Sequence, residues 1–358
     1  SPLATATKPA PDPESAPPPT PFSKEARASF ERWDTDGNER LDCAELDQAI
    51  MDPRVTGAAA AAAVTLRRSL EDLEDLSDDD WFFESGVSLA DLEAHERSMS
   101  ASQRPEASTR AEAIFAGSWF QIEQGPSKLF PDDRVKWKEM HQGTIGDCSW
   151  HAAAVSLAVE DPAALRSMIQ ERPDGGYTVT FPGRDPIEVA PLTDGELALY
   201  GTAGSNGRWL PVLEKAFGQL RGDTEVPADA AESTPLSESI EILTGAPASN
   251  HILSETTRAT LAEKLTEAFD DGRIVIAAIP GPSAIDEDGL VSNHAYAIIA
   301  HDAEAGTVTL RNPWGRQELE DAKGRPADGK DDGVFTMTYD ELRSHFGAVT
   351  FEEKQAES

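Results

Sequence analysis

One short stretch constrains this chain more than any other: residues 142–148, Gln-Gly-Thr-Ile-Gly-Asp-Cys, run directly into an alanine-rich apolar segment. The segment predicts a helix that begins at Cys148, with Asp147 near its N-cap. The macrodipole and free N–H groups of a helix N-terminus favour a thiolate over a thiol. We therefore expect a lowered pKa for Cys148, as a cysteine nucleophile requires; the alternative is a buried structural thiol.

Downstream, a histidine and an asparagine fall on two predicted strands. His294 directly precedes an apolar segment, 295–300, and Asn312 follows an alternating segment, 307–310. Both residues are equidistant from residue 303, so a hairpin centred there makes them cross-strand neighbours with Cβ atoms about 5 Å apart. Asn312 can then fix the tautomer of the imidazole, and His294 can act as base and acid for a thiol. The alternative for His294 is a satisfied core histidine.

Gln142 lies six residues before Cys148 in the same stretch. Its side-chain amide can return toward the thiol and, with the backbone N–H of Cys148, stabilise a tetrahedral oxyanion. The alternative is an ordinary loop glutamine.

Near the N-terminus, a twelve-residue segment from Asp34 to Glu45 has the pattern of an EF-hand loop. Leu41 occupies the position that pairs with a second loop, whereas Glu39 stands where the turn requires glycine. The oxygen ligands expected for Ca²⁺ are the side chains of Asp34, Asp36, Asn38, Asp42 and Glu45 and the carbonyl of Arg40. The alternative is a solvated acidic loop.

A second loop of the same length, 80–91, carries Val87 at the pairing position. Phe82 replaces a ligand and Ser85 replaces the glycine, so we interpret it as a degenerate hand that supports the first.

Charge excludes some classes of partner. The net charge of −34 argues against nucleic acids and anionic membranes, and it fits a protein that binds divalent cations, although acidity also serves solubility. The sequence contains no run of 18 apolar residues, so no membrane insertion is predicted. Cys43 and Cys148 are too few to indicate a disulfide framework.

Residues 142–148, 293–296 (Asn-His-Ala-Tyr) and 311–315 (Arg-Asn-Pro-Trp-Gly) together resemble the three catalytic blocks of the calpain family of cysteine proteases. The resemblance covers about 115–350 and includes Trp-Leu-Pro-Val-Leu-Glu-Lys-Ala-Phe at 209–217. It implies an α+β papain-like core of two subdomains, with calcium-dependent assembly of the two halves.

The resemblance also implies roles for single residues. Cys148 would be the nucleophile, His294 the general base and acid, Asn312 its orienter and Gln142 the oxyanion donor, with Trp314 shielding the His–Asn pair. Further calcium ligands are implied at Glu318 and Asp332, with less support at Glu139, whereas Val334 stands where another acidic ligand is expected. Ser149 replaces the aromatic residue that usually follows the nucleophile.

The predicted organisation has four parts: a disordered Pro-rich tail (1–22), an all-α EF-hand pair (23–100), a first core subdomain with the cysteine (101–246) and a second with the histidine and asparagine (247–358). Proteins or peptides are the expected substrates. An inactive calcium-responsive scaffold and an acyl transferase remain alternatives. The oligomeric state stays open, as does the compartment: the resemblance favours the cytoplasm over secretion after removal of a leader.

Overall fold

The computed structural model describes residues 21–74, 76–77, 85–99, 105–222, 231–286, 288–321 and 323–354. The predicted tail therefore lies outside the described residues as far as residue 20. The helices are α1 Phe22–Trp33, α2 Cys43–Met51, α3 Gly57–Arg68, α4 Leu70–Glu74, α5 Leu89–Met99, α6 Glu106–Gln124, α7 Cys148–Glu160, α8 Pro162–Ser167, α9 Asp194–Leu199, α10 Trp209–Arg221, α11 Leu236–Thr244, α12 Arg258–Asp270 and α13 Tyr339–His345. The strands are β1 Arg40–Leu41, β2 Val87–Ser88, β3 Ile169–Glu171, β4 Tyr177–Val179, β5 Ile187–Val189, β6 Ala248–Ile252, β7 Val275–Ile279, β8 His294–Asp302, β9 Thr307–Arg311, β10 Val334–Thr338 and β11 Ala348–Glu352.

Contacts divide the chain into two compact units. The helical unit reaches to Gly125 and adds 191–201, so it holds α1–α6, α9, β1 and β2. The sheet unit comprises 126–190 and 202–358 and contains Cys148, His294 and Asn312. The domain boundaries inferred from the sequence stay predictions. Among the described helices, none combines the length and the apolar character needed to traverse a bilayer.

Within the helical unit, α3 is the central element. Its alanine run predicts a helix, and that prediction is confirmed. The side chains of Ala60–Ala63 are fully buried, and α3 contacts α1, α2, α6 and α9. Small side chains allow these helices to approach closely, which explains how a low-complexity stretch becomes a core.

The predicted calcium loop connects α1 to α2, and β1 lies within it. Strand β1 pairs with β2 in an antiparallel ribbon, with Leu41 opposite Val87, the pairing that the sequence indicates. Asp42 begins α2 with a capping box, because its side chain accepts from the N–H of Glu45 while the Glu45 side chain accepts from the N–H of Asp42. Phe82 lies outside the described residues.

An antiparallel six-stranded sheet in the order β10-β9-β8-β7-β11-β6 organises the sheet unit. The predicted strands near 295–300 and 307–310 correspond to β8 and β9. Strands β3, β4 and β5 form a separate three-stranded sheet. Tyr296 and Ile298 of β8 enter a core that includes Leu261 of α12 and Leu342 of α13. Helix α7 lies against β7 and β8, which brings its N-terminus to the sheet.

Candidate active site

Cys148 is the first residue of α7, and Asp147 occupies the N-cap position, as the sequence predicts. The Asp147 carboxyl, however, makes no capping hydrogen bond. Only its backbone carbonyl serves the helix, accepting from the N–H groups of Trp150 and His151 at 3.0 and 3.1 Å. The carboxyl of Asp147 is fully buried, and its Oδ1 lies near Gln142 and His151 instead.

The surroundings of the thiol oppose its ionisation. Loss of water around the sulfur raises the pKa of Cys148 to about 11. The backbone N–H groups of Ala295 and Ser149 lower this pKa but do not compensate. The expectation of a lowered thiol pKa is therefore wrong here, because desolvation outweighs the helix terminus. A stable thiolate at Cys148 requires a cation beside it.

This raised pKa predicts how the thiol reacts. In a Cys43→Ser variant, where Cys148 is the only thiol, the rate of alkylation by iodoacetamide should rise about tenfold per pH unit above pH 7, because only the thiolate reacts. Mass spectrometry of the protein between pH 6 and 10 measures this rate. Cys43 is exposed, so in a Cys148→Ala variant it provides a fast-reacting comparison at pH 7. A rate for Cys148 that does not change with pH would contradict the prediction.

The structure brings His294 and Asn312 together. His294 Nε2 lies 2.8 Å from Asn312 Oδ1, and both side chains are buried. Asn312 Oδ1 also accepts from the backbone N–H of Trp314 at 3.0 Å, and Nδ2 donates to the carbonyl of Gln317 at 2.8 Å. Because Oδ1 can only accept, Nε2 carries the proton, and Nδ1 is the ring nitrogen that can exchange a proton with a thiol.

The predicted strand register is wrong, although the predicted contact is present. The pairing of β8 with β9 places Ala297 opposite Arg311, so His294 and Asn312 are diagonal rather than direct neighbours. The closing pair of the hairpin is Asp302–Thr307, and its turn is not centred on residue 303.

A β-bulge also lies between Ile298 and Ala300, which leaves Ile299 unpaired. Between the bulge and the turn, even-numbered residues of β8 pair with odd-numbered residues of β9, as Ala300 does with Thr309. On the other side of the bulge, even-numbered residues of β8 pair with even-numbered residues of β9, as Ile298 does with Leu310. The bulge therefore brings His294 to the face of the sheet that Asn312 shares.

Trp314 covers the pair, as the resemblance implies. Its ring centroid lies 4.6 Å from that of His294, and Tyr296 meets the same imidazole edge-on at 5.1 Å. Two aromatic neighbours keep water from the hydrogen bond between His294 and Asn312, which strengthens it.

Gln142 is buried beside the start of α7. Its Nε2 donates to the carbonyl of Ile145 at 2.7 Å and to Asp147 Oδ1 at 3.3 Å. Its backbone N–H donates to the carbonyl of Pro313 at 2.9 Å. The segment with the candidate oxyanion donor is thus fastened to the residue after Asn312.

Arg311 strengthens this connection, and sequence reasoning gave it no role. It is buried, and its Nη2 donates to the carbonyls of Lys138 and Met140 at 3.1 and 2.8 Å. Burial lowers the pKa of its guanidinium to about 10, and the ring of Trp137 lies 5.4 Å from its carbon Cζ. In the sequence, the position of this arginine directly before Asn312 was the signal that could have indicated its role.

A buried group of ionisable side chains lies behind the thiol helix: Asp147, His151 and Glu214. His151 Nε2 lies 3.2 Å from Glu214 Oε2 and 3.6 Å from Asp147 Oδ1. Neither His151 nor Glu214 was among the candidate site residues predicted from the sequence. The four-residue spacing of Asp147 and His151 puts both on one face of a helix, so the contact between these two residues could have been predicted from the sequence.

The predicted calcium loop gathers carboxylates. Oxygen atoms of Asp34, Asp36 and Glu45 lie within 4.8 Å of one another. Asp34 accepts from three backbone N–H groups of the loop, at 2.9 to 3.1 Å. Glu39 adopts a left-handed φ of 65°, so the sharp turn forms without the expected glycine, at a cost of about 1 kcal/mol.

Glu318 has the features of a second candidate cation ligand. It is buried, its Oε1 has no hydrogen-bond partner among the described residues, and its Oε2 accepts from the N–H of Asp332 at 3.2 Å. Burial, with the charge of Asp328 next in size, raises the pKa of Glu318 to about 7.

Comparison with known proteins identifies a family for the chain. A family model described as calpain family cysteine protease matches residues 90–352. Calpain-9 of Rattus norvegicus is 27% identical over 246 residues, which cover 58% of this chain and 35% of the relative. The calpain-2 catalytic subunit of Mus musculus is 24% identical over 248 residues, covering 58% and 34% respectively.

Calpain clp-1 of Caenorhabditis elegans is 27% identical over 201 residues, which cover 49% of this chain and 25% of the relative. The chain thus spans between a quarter and about a third of the length of these curated relatives. Because the family model matches most of the sequence, the chain belongs to the calpain family of cysteine proteases.

Proposed function

We propose that this chain is a calcium-dependent cysteine endopeptidase that hydrolyses peptide bonds in proteins through Cys148, His294 and Asn312. One observation carries the proposal: His294 Nε2 is held by Asn312 Oδ1 at 2.8 Å, and the backbone N–H of Ala295, the residue after His294, lowers the pKa of the Cys148 thiol. This is the orientation that an imidazole needs to serve a thiol through Nδ1. Membership of a cysteine protease family supports the same reaction.

Acylation follows from these positions. His294 takes the proton of Cys148 on Nδ1, and the sulfur attacks the carbonyl carbon of a peptide bond. Negative charge develops on the carbonyl oxygen, where Gln142 Nε2 and the Cys148 N–H donate. The imidazolium then protonates the leaving nitrogen as the C–N bond breaks, which leaves an acyl group on the sulfur.

Deacylation reverses these roles. Water gives a proton to His294 and attacks the thioester, and the C–S bond breaks to release a carboxylic acid and the thiol. The high intrinsic pKa of Cys148 makes the imidazolium essential to the thiolate, so Asn312 and Trp314, which hold and shield the ring, support both half-reactions.

The N-terminal loop fits a calcium ion. The expected ligands are Asp34, Asp36, Asn38, Asp42, Glu45 and the carbonyl of Arg40, and three of their carboxylates already converge. Calcium would supply positive charge that neutralises this cluster and fixes the angle between α1 and α2.

Glu318, with Asp332 beside it, fits a second ion, because a buried carboxyl with an unpartnered oxygen is stabilised by a cation. Charge neutralisation at either place offers a physical basis for calcium dependence.

The test is cleavage of unstructured casein by the purified chain with calcium and with excess chelator. Cleavage only with calcium is expected. Glu45→Gln should weaken calcium binding and raise the calcium concentration for half-maximal activity by roughly tenfold or more, because position 12 grips the ion bidentately. Glu39→Gly, which relieves the left-handed turn, should lower that concentration by about fivefold.

The outcomes separate the candidate functions. Equal cleavage with calcium and with chelator would keep the peptidase and limit calcium to a structural role. Ligated rather than cleaved products, identified by mass spectrometry, would indicate acyl transfer instead. Absence of cleavage in every condition, with calcium binding retained, would support a binding module and overturn the peptidase.

A further inference from the structure

The buried group behind the thiol helix differs from an ordinary ion pair. Asp147 and His151 lie one turn apart on α7, Glu214 reaches them from α10, and all three side chains are buried. Two carboxyls thus share one imidazole. Unbalanced buried charge is costly, so at least one of the two carboxyls is expected to carry a proton.

Burial favours the protonated form of the Asp147 carboxyl. Burial raises the pKa of Asp147 well above its ordinary range, and the charge of Glu214 and a hydrogen bond with Glu214 add to this effect, while the charge of His151 opposes it. A protonated Asp147 donates toward Glu214 and keeps its other oxygen, Oδ1, as an acceptor.

That acceptor oxygen faces Gln142. The Gln142 amide has two N–H hydrogens, and its Nε2 has two neighbouring acceptors, Ile145 O at 2.7 Å and Asp147 Oδ1 at 3.3 Å. Two acceptors fix the plane of the amide. The longer bond, to Asp147, is the one that an oxyanion can replace at least cost.

Asp147 is also unusual among N-cap aspartates. An aspartate in that position ordinarily accepts from an N–H of the first turn, whereas this carboxyl makes no capping bond. The interactions with His151 and Glu214 hold it away from the helix terminus. They thereby leave the N–H groups near Cys148 available to a reacting oxygen and aim Asp147 at Gln142.

We propose that His151 and Glu214 are positioning residues for the oxyanion donor: they hold the Asp147 carboxyl off the helix terminus and against the Gln142 amide. This inference rests on the proposed peptidase function. Neither residue touches substrate, and both act through Asp147 and Gln142.

A double-mutant cycle in the full chain tests the proposal, with kcat and KM measured on one fluorogenic peptide derived from casein. His151→Leu should lower kcat by roughly 10- to 100-fold with little change in KM, because misplacing a donor affects the transition state. Gln142→Ala should lower kcat by about 10²-fold. Once Gln142 is alanine, His151→Leu should reduce kcat by no more than about twofold further.

Polar substitutions at the same two positions provide a second test in case His151→Leu or Glu214→Leu disturbs folding. His151→Gln retains a donor toward Glu214 and should recover most of kcat, and Glu214→Gln should reduce kcat less than Glu214→Leu. Urea unfolding of each variant reports the loss of stability separately. A matched control is Ser156→Ala, which removes a buried polar contact between α7 and the sheet and should leave kcat nearly unchanged.

Three results would overturn the inference. The first is multiplicative loss of kcat in the double mutant, since that makes the two sites independent. The second is stoichiometric zinc in the purified protein that disappears in His151→Leu, since a metal would then hold the cluster. An inactive wild-type chain overturns the proposed function itself and this inference with it, a result distinct from multiplicative loss in an active enzyme.

Discussion

Replacement of Cys148 by alanine should lower kcat/KM for a casein-derived peptide by on the order of 10⁴-fold or more. The sulfur forms the covalent bond of the proposed reaction, and the other cysteine of the sequence, Cys43, lies in the predicted calcium loop. Initial rates under calcium saturation, with enzyme at micromolar concentration to detect residual turnover, measure the change. The side chain is small, so folding should be preserved.

Two companion variants sharpen that result. Cys43→Ser should retain full activity, because Cys43 is exposed and its side chain is not among the expected ligands. Cys148→Ser should be nearly as inactive as Cys148→Ala, because a hydroxyl ionises far less readily than a thiol at a site that already disfavours the anion. Cleavage by Cys148→Ala within tenfold of the wild type would refute a thiol mechanism.

Replacement of Asn312 by alanine should lower kcat/KM by roughly 10²- to 10³-fold. The change removes the acceptor for His294 Nε2 and leaves the imidazole free to rotate or to adopt the other tautomer. It also removes bonds to the Trp314 N–H and the Gln317 carbonyl, so the free energy of unfolding should fall by about 2–4 kcal/mol. Steady-state kinetics and urea unfolding at one pH measure both effects.

Asn206 provides the matched control. It is another buried asparagine of the sheet unit, and it accepts from the N–H of Lys136 and donates to the carbonyl of Arg134, both at 2.8 Å. Asn206→Ala should therefore cost a similar free energy of unfolding and leave kcat within about threefold of wild type. Equal losses of kcat in Asn206→Ala and Asn312→Ala would mean that Asn312 acts only through stability.

Local patterns in the sequence predicted much of the sheet unit. An alanine-rich run after Cys148 predicts a helix starting there, because propensity and apolar content agree along its length. The apolar segment 295–300 and the alternating segment 307–310 likewise predict strands, because short apolar or alternating runs are typical of strands. The helix and the strands are both predicted from residues that are neighbours in the chain, so these predictions do not require knowledge of tertiary contacts.

Register and protonation could not be predicted in this way. The hairpin turn and the unpaired Ile299 are set by packing of β8 on its neighbours, and the residue pattern alone allowed a symmetric hairpin. The pKa of Cys148 depends on water excluded by residues distant in sequence, so the helix terminus alone gave the wrong direction. His151 and Glu214 meet only after α7 and α10 pack.

The unpaired Ile299 makes the length of β8 part of the chemistry. Deleting this single residue would restore an uninterrupted ladder and keep His294 on the face of Asn312, because the pairs Ile298–Leu310 and Ala300–Thr309 would simply become neighbours. Adding one residue between His294 and Ile298 would have the opposite effect, since a one-residue slip inverts every side chain and the bulge compensates for only one. Such a chain would keep each residue of the cysteine, histidine and asparagine motifs and lose the pair they form. A homologue with intact motifs and one residue more in this strand is therefore expected to be a pseudoenzyme, recognisable by counting rather than by composition.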